Sequence, residues 1–155
     1  IEKQLLNSYK PNQIVINLFY NSLSSLKKEI DLKRQIAAFY YQELKKSKYL
    51  ISQQVEINSK SSFYNFAVRL HPKVSHITSK LIMLLRKENI FIANLWPDAP
   101  ITSLRYKSFQ KECPSALWLA KSVINLPIYS KFKESDVVYL FNKINWAIDT
   151  LKNEN

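Results

Sequence analysis

Ser122-Val123-Ile124-Asn125-Leu126-Pro127-Ile128-Tyr129 is a short apolar run, broken by a proline and followed closely by an amphipathic stretch. It reads as a buried strand over Ile124 to Ile128, since a run this brief is strand-length and Pro127 cannot sit inside a helix. Helices bracket it. Pro114 suits the first helical position of one that runs through Val123, and Ser135 to Leu151 closes the chain as another.

Upstream, the same alternation continues. Ile90 to Trp96 reads as a strand, preceded at once by a helix that Ser75 can cap and that runs through Ile77, Leu81, Leu84 and Leu85 to about Glu88. Phe63 to Leu70 is rich in β-formers and stops at Pro72. Tyr49-Leu50-Ile51 and Val55-Glu56-Ile57 suggest an earlier strand, with Asn58 to Ser62 as a polar turn. The result is a β-α-β order. Pro97 and Pro100 punctuate a loop, and Leu104 to Phe109 reads as a helical turn. Three or four strands alternating with helices argue for α/β or α+β layers.

The chain begins with a long helix, from about Pro11 to Lys46. Ile14, Leu18, Leu23, Leu26, Ile30, Ala37, Tyr41 and Leu44 recur at helical spacing, so one face is expected to be buried. Its apolar start, Ile14-Val15-Ile16 and Leu18-Phe19-Tyr20, is wider than a single stripe. A helix wet on one side does not need that width, and a helix this long suggests either a bend or packing against something outside this chain. Phe39, Tyr40 and Tyr41 likewise span several helix faces.

Composition excludes several classes. The 155 residues are 46% hydrophobic and contain no glycine. Glycine supplies the positive φ angles and close backbone approaches of phosphate-cradling loops, so a P-loop, a dinucleotide fingerprint and a nucleophile elbow are all ruled out. The longest apolar runs fall far short of the roughly 20 residues of a membrane span, and no basic-then-apolar leader opens the chain. A soluble, cytoplasmic protein is expected. One cysteine, Cys113, and two histidines, His71 and His76, cannot build a zinc site, and Cys113 reads as a small buried filler. The net charge of +11 is spread along the chain rather than gathered into an arm, and no nucleic-acid-binding motif accompanies it. Solvated surface is the favoured reading, and nucleic-acid binding rests on charge alone.

Several segments, in order, carry a family likeness. Leu26 to Leu44, with Lys33-Arg34-Gln35-Ile36-Ala37-Ala38-Phe39-Tyr40-Tyr41-Gln42-Glu43-Leu44, is similar to the long linking helix of the DegT/StrS-like nucleotide-sugar aminotransferases. Phe63 to Leu70 resembles the first well-marked strand of their small domain, and Leu81 to Ile92 its helix-then-strand crossover. Asn94 to Pro97 resembles the substrate-side loop, and Cys113 to Tyr129 the helix leading into a leucine-proline strand. Asp136-Val137-Val138 resembles the start of the closing helix.

The resemblance implies a linking helix over 1–48 and a small α/β (α+β-like) domain over 49–155. The sheet should be mostly antiparallel and packed with helices, as in the small domain of fold-type I pyridoxal-phosphate enzymes. It also implies a missing large domain that carries pyridoxal phosphate on a lysine, an amino donor such as glutamate, a keto-sugar nucleotide as acceptor, and a homodimer. No lysine here has the sequence context of a Schiff-base lysine, so no catalytic residue, no metal and no bound cofactor are expected in this chain alone. Ser8 and Lys10 align with family residues that reach the cofactor phosphate, and Asn94, Trp96 and Arg105 with the substrate side. Lys10 would act there as a point charge, without the bidentate fork of an arginine. Arg69 is a further candidate for the diphosphate. Phe19 stands where the family carries a small residue, which would crowd a close helix contact. Glu88-Asn89-Ile90 replaces a glycine-containing turn, although Asn89 tolerates the left-handed conformation that a helix end needs. A non-catalytic binding or assembly module derived from the same family is the alternative reading.

Overall fold

The computed structural model describes residues 12–56, 58–94, 103–105, 108 and 113–153. Its first element is α1, Gln13–Lys46, about 51 Å long at 1.5 Å per residue. Asn12 caps it, its side-chain oxygen accepting from the Ile14 N–H at 3.0 Å, so the cap is an asparagine; Pro11 lies outside the described residues. Ser47 ends it, and its hydroxyl accepts from Tyr49 and Leu50 N–H groups to turn the chain into the sheet.

Four strands follow: β1 Leu50–Ser52, β2 Phe66–Leu70, β3 Ala93–Asn94 and β4 Val123–Leu126. They stand in the order β1-β2-β4-β3, every neighbour antiparallel. Since β2 and β3 are both antiparallel to β4, they are parallel to each other, with β4 inserted between them. The β-α-β order expected from sequence is therefore a split unit. The crossover consists of a 3-10 segment, Pro72–Ile77, and α2, Thr78–Lys87. Helix α3, Pro114–Ser122, leads directly into β4, and α4, Glu134–Asn153, closes the fold. Asp136 holds the Lys133 N–H at 2.8 Å, a capping contact that fixes the start of α4.

One face of the sheet makes the core. Phe66, Val68, Leu70, Ile124 and Leu126 alternate inward along β2 and β4 and meet Tyr40 of α1, Leu81 and Leu85 of α2, and Val137, Ile144 and Ile148 of α4. Tyr40, fully buried, stacks on Phe66 with ring centroids 4.6 Å apart, and its hydroxyl donates to the Pro127 carbonyl. The proline after β4 thus offers an acceptor that the linking helix uses. Tyr40 rather than Tyr41 occupies the core, and Tyr41 packs edge-on against Phe63 and Phe66. One position along a helix is a rotation of about 100°, which the broad apolar pattern did not resolve.

Several expected boundaries move. Gln53 to Glu56 pair with no strand, and Ile57 lies outside the described residues; β-branched composition alone does not make a strand without a neighbour to pair with. Phe63 leaves the extended region, at φ 48°, so β2 begins at Phe66. His71, not Ser75, is the cap of the crossover segment, its Nδ1 accepting from the Lys73 N–H at 3.3 Å. Of the strand expected over Ile90 to Trp96, only Ala93–Asn94 pairs among the described residues. Leu104 and Arg105 do form a short helical turn. Cys113 is exposed, not buried, because it precedes α3 at a helix start facing solvent.

Asn89 ends the crossover helix at φ 59°, donating from its N–H to the Arg86 carbonyl, while Ile90 reaches back to Leu85. This is the left-handed turn expected of an asparagine in a glycine position. Replacing Asn89 by alanine should cost about 1 kcal/mol, and by glycine nothing, in urea unfolding.

The N-terminal part of α1, from Ile14 to Leu26, leaves its large apolar side chains exposed. Ile16, Phe19, Leu23, Leu26 and Ile30 repeat at alternating three- and four-residue steps that continue through Lys33 to Ala37, Tyr40 and Leu44. The later part of this seam is buried in the core, whereas Phe19 is 64% and Leu23 46% exposed. Ile14, Val15, Leu18 and Tyr20 are exposed around the other sides. The expectation of a partner beyond this chain is thereby localised to Ile14 through Leu26.

Candidate functional site

The second face of the sheet carries Arg69 and Asn125. Antiparallel partners share a face, so Ile51, Arg69 and Val123 form one row and Ala67, Asn125 and Ala93 the next. Arg69 is the cation of this face. Helix α3 lies over it and sets Trp118 against the guanidinium, 4.2 Å from carbon to ring centroid. Among the described residues no carboxylate pairs with Arg69, and its Nε is buried without a hydrogen-bond partner. On the neighbouring strand, the Asn125 Oδ1 is also buried and unpaired. A donor and an acceptor, both unsatisfied, flank a floor made by the small side chains of Ala67 and Ala93.

The candidates named from sequence are placed unevenly. Asn94, half-buried on β3, lies in the row of Val68 and Ile124, and its side-chain nitrogen donates to the Ala120 carbonyl at 2.9 Å, tying β3 to α3. Arg105 is exposed in its turn. Ser8, Lys10 and Trp96 lie outside the described residues. The structure brings Arg69 together with Trp118 and Asn125, which lie 49 or more positions further along the chain, so their meeting depends on the order of strands and carries no local signature.

Shifted titrations belong to the core and its rim. Burial first, then the negative charges that Tyr129 and Asp136 contribute, push the Tyr40 phenol far above its usual value. Burial raises Tyr41. The hydrogen bond that Tyr49 donates to Asp149 raises its phenol, and the Glu88 carboxylate 2.7 Å away raises Lys143. No group of three or more metal-binding side chains occurs among the described residues, and no described helix is long and apolar enough to cross a membrane.

Solved structures similar to this chain include sugar aminotransferases. PseC of Helicobacter pylori, an aminotransferase involved in the biosynthesis of pseudoaminic acid, superposes with a TM-score of 0.79 at 16% identity over 93% of this chain and 39% of its own. The putative sugar aminotransferase Spr1654 of Streptococcus pneumoniae gives 0.71 at 17% identity, over 84% of this chain and 33% of its own. DesV of S. venezuelae, solved with a ketimine intermediate, gives 0.70 at 18%, over 84% and 35%. The chain thus spans two fifths or less of the length of these structures. No curated protein sequence matches it. A family model matches residues 5–145, nearly the whole chain, and on that ground the chain belongs to the DegT/DnrJ/EryC1/StrS aminotransferase family.

Proposed function

We propose that this chain acts as the C-terminal domain of a pyridoxal-phosphate-dependent sugar aminotransferase, in which the cofactor is held by a polypeptide body packed against α1. The observation that carries the reading is the exposed apolar half of α1, Ile14 to Leu26, in a chain that has the family's fold but two fifths or less of its solved relatives' length. Eight large apolar side chains on all sides of four helical turns need an enclosing surface, not a single neighbouring helix.

Pyridoxal phosphate, when bound, supplies the electron sink that amino transfer requires. Ser8 and Lys10 are assigned to its phosphate edge, one as a hydroxyl and one as a charge. The acceptor is a keto-sugar nucleotide and the donor an amino acid such as glutamate. Asn94, Trp96 and Arg105 are assigned to the sugar nucleotide. Arg69 joins them for its diphosphate, because it is a cation already stacked and with no carboxylate partner among the described residues. A homodimer in the cytoplasm completes the proposal.

The test is native purification from the source cell, followed with an antibody to this chain. The expected species exceeds twice 18.3 kDa, contains pyridoxal phosphate and transfers the glutamate amine to a keto-sugar nucleotide. An 18.3 kDa species free of cofactor and inactive in that assay would sink the proposal and favour the non-catalytic assembly module.

A further inference from the structure

We propose that Arg69 and Asn125 enclose a binding site for one water molecule, and that through this water Asn125 fixes the orientation of the Arg69 guanidinium. The site does not rest on the aminotransferase reading, because strands β2, β3 and β4 and helix α3 of this chain build it.

Strand register sets the corners. Arg69 pairs with Val123 and Ala67 with Asn125, so the four side chains stand at the corners of a square on this face, with Arg69 and Asn125 on one diagonal. Diagonal neighbours of an antiparallel pair lie roughly 7–8 Å apart, within reach of a long side chain. The other diagonal holds Val123 and Ala67, and Ala93 stands on the far side of Asn125. Both cross-strand neighbours of Asn125 are therefore alanines, and neither reaches beyond a methyl group to fill the space beside its amide.

Chemistry then selects the occupant. Arg69 Nε is a buried donor and Asn125 Oδ1 a buried acceptor, and neither has a hydrogen-bond partner among the described residues, so they do not bond each other. A buried polar group left unmet costs more than a typical hydrogen bond gains, and ordered water commonly meets such groups. An anion between these two would face the lone pairs of the Asn125 oxygen, and a cation would face the guanidinium charge. A hydrocarbon would leave both unmet. A water accepts from the Nε–H and donates to Oδ1, which supplies two of the two to four bonds that a buried water makes.

The consequence falls on Arg69. Trp118 covers one face of its guanidinium at 4.2 Å, which limits its tilt, and the water holds the Nε edge, which limits rotation within that plane. Trp118 and Asn125 belong to one continuous piece of chain, since α3 ends at Ser122 and β4 begins at Val123. The Ser122 hydroxyl donates to the Trp118 carbonyl at 2.9 Å across that junction. Asn94 ties β3 to the same helix through the Ala120 carbonyl. The two groups that restrain Arg69 are thus held to each other.

The experiment is NMR of the ¹⁵N,¹³C-labelled 155-residue chain without pyridoxal phosphate. Water-selective NOESY and ROESY spectra should show cross-peaks from water to Arg69 Hε and to the Asn125 side-chain amide, with opposite signs in the two experiments. Opposite signs mark a bound water, whereas proton exchange gives the same sign in both. Asn125→Leu removes the acceptor and should abolish the Arg69 cross-peak, while Asn125→Ser keeps an acceptor and should retain it. Ala67→Val fills the site from the other diagonal and should abolish the cross-peak with Asn125 still in place, so the result does not hinge on one variant's folding. In both variants that lose the water, the two Nη resonances of Arg69 should exchange about fivefold faster, the equivalent of one hydrogen bond. A packing role alone leaves that exchange rate unchanged. Three results overturn the proposal: no bound-water cross-peak at Arg69 Hε, one that persists in Asn125→Leu, or a scalar coupling from Arg69 Nε to the Asn125 side-chain carbonyl carbon, which reports a direct bond. Each is read without any amino transfer.

Discussion

Replacing Tyr40 by alanine should destabilise the chain by about 4 kcal/mol in urea unfolding, within the range for deleting a buried aromatic ring. The ring is fully buried at the junction of α1, β2 and α4, stacked on Phe66 and 5.9 Å from Phe141, so its removal opens a cavity that three elements line. Tyr40→Phe keeps the ring and removes only the bond to the Pro127 carbonyl, and should cost about 1 kcal/mol. The two variants also separate an alkaline effect. The native phenol is raised above its unfolded value near 10, so the unfolded chain releases this proton first. The Tyr40 contribution is fully present below about pH 10 and falls above it by about 1.4 kcal/mol per pH unit. Tyr41 and Tyr49 are raised too and add in the same direction. Unfolding measured between pH 9 and 11 should show a shallower loss for Tyr40→Phe, and an identical loss would remove Tyr40 from the explanation.

The second large effect concerns assembly. The double substitution Phe19→Lys, Leu23→Lys lies on the exposed part of the α1 seam and should leave the chain's own stability within about 0.5 kcal/mol. If α1 docks on a cofactor-bearing body as proposed, the same pair should weaken that docking a hundredfold or more, since burying each side chain is worth roughly 1.5–3 kcal/mol. The control is Met83→Lys, also an exposed apolar residue but on α2, which should leave association unchanged. Sedimentation of the variants with the proposed cofactor-bearing body, supplied as a separate polypeptide, decides it. Equal weakening by the Met83 control would remove the seam's special role.

What could be read from the residues follows from how local the signal is. The linking helix, β2, the strand ahead of Pro127 and the closing helix each announce themselves in fewer than a dozen residues at a time, and all are present. Asn89 also did what its side chain permits. Errors cluster where the deciding contact is distant. Val55 looks like a strand residue, but β1 stops pairing at Ser52, so nothing recruits it. Tyr41 was expected on the buried face of the helix, and only the arrival of β2, through Phe66, gives the core position to Tyr40. Arg69 was visible as a possible diphosphate ligand, yet its stacking on Trp118 and its neighbour Asn125 exist only because β4 enters beside β2.

That insertion of β4 has a consequence for synthesis. Strand β4, one of the two inner strands of the sheet, is translated long after β2, the other: at roughly 5–20 residues per second, the chain from Leu70 to Leu126 takes on the order of 3 to 11 seconds to appear. Until then β2 has only the three residues of β1 beside it, and its inner edge, with Phe66, Val68 and Leu70, is open. A nascent chain stalled or cleaved before Val123 cannot complete the sheet and presents an unpaired apolar edge to other chains. Nonsense mutations between the Leu70 and Val123 codons should therefore yield aggregates rather than a shortened, folded domain.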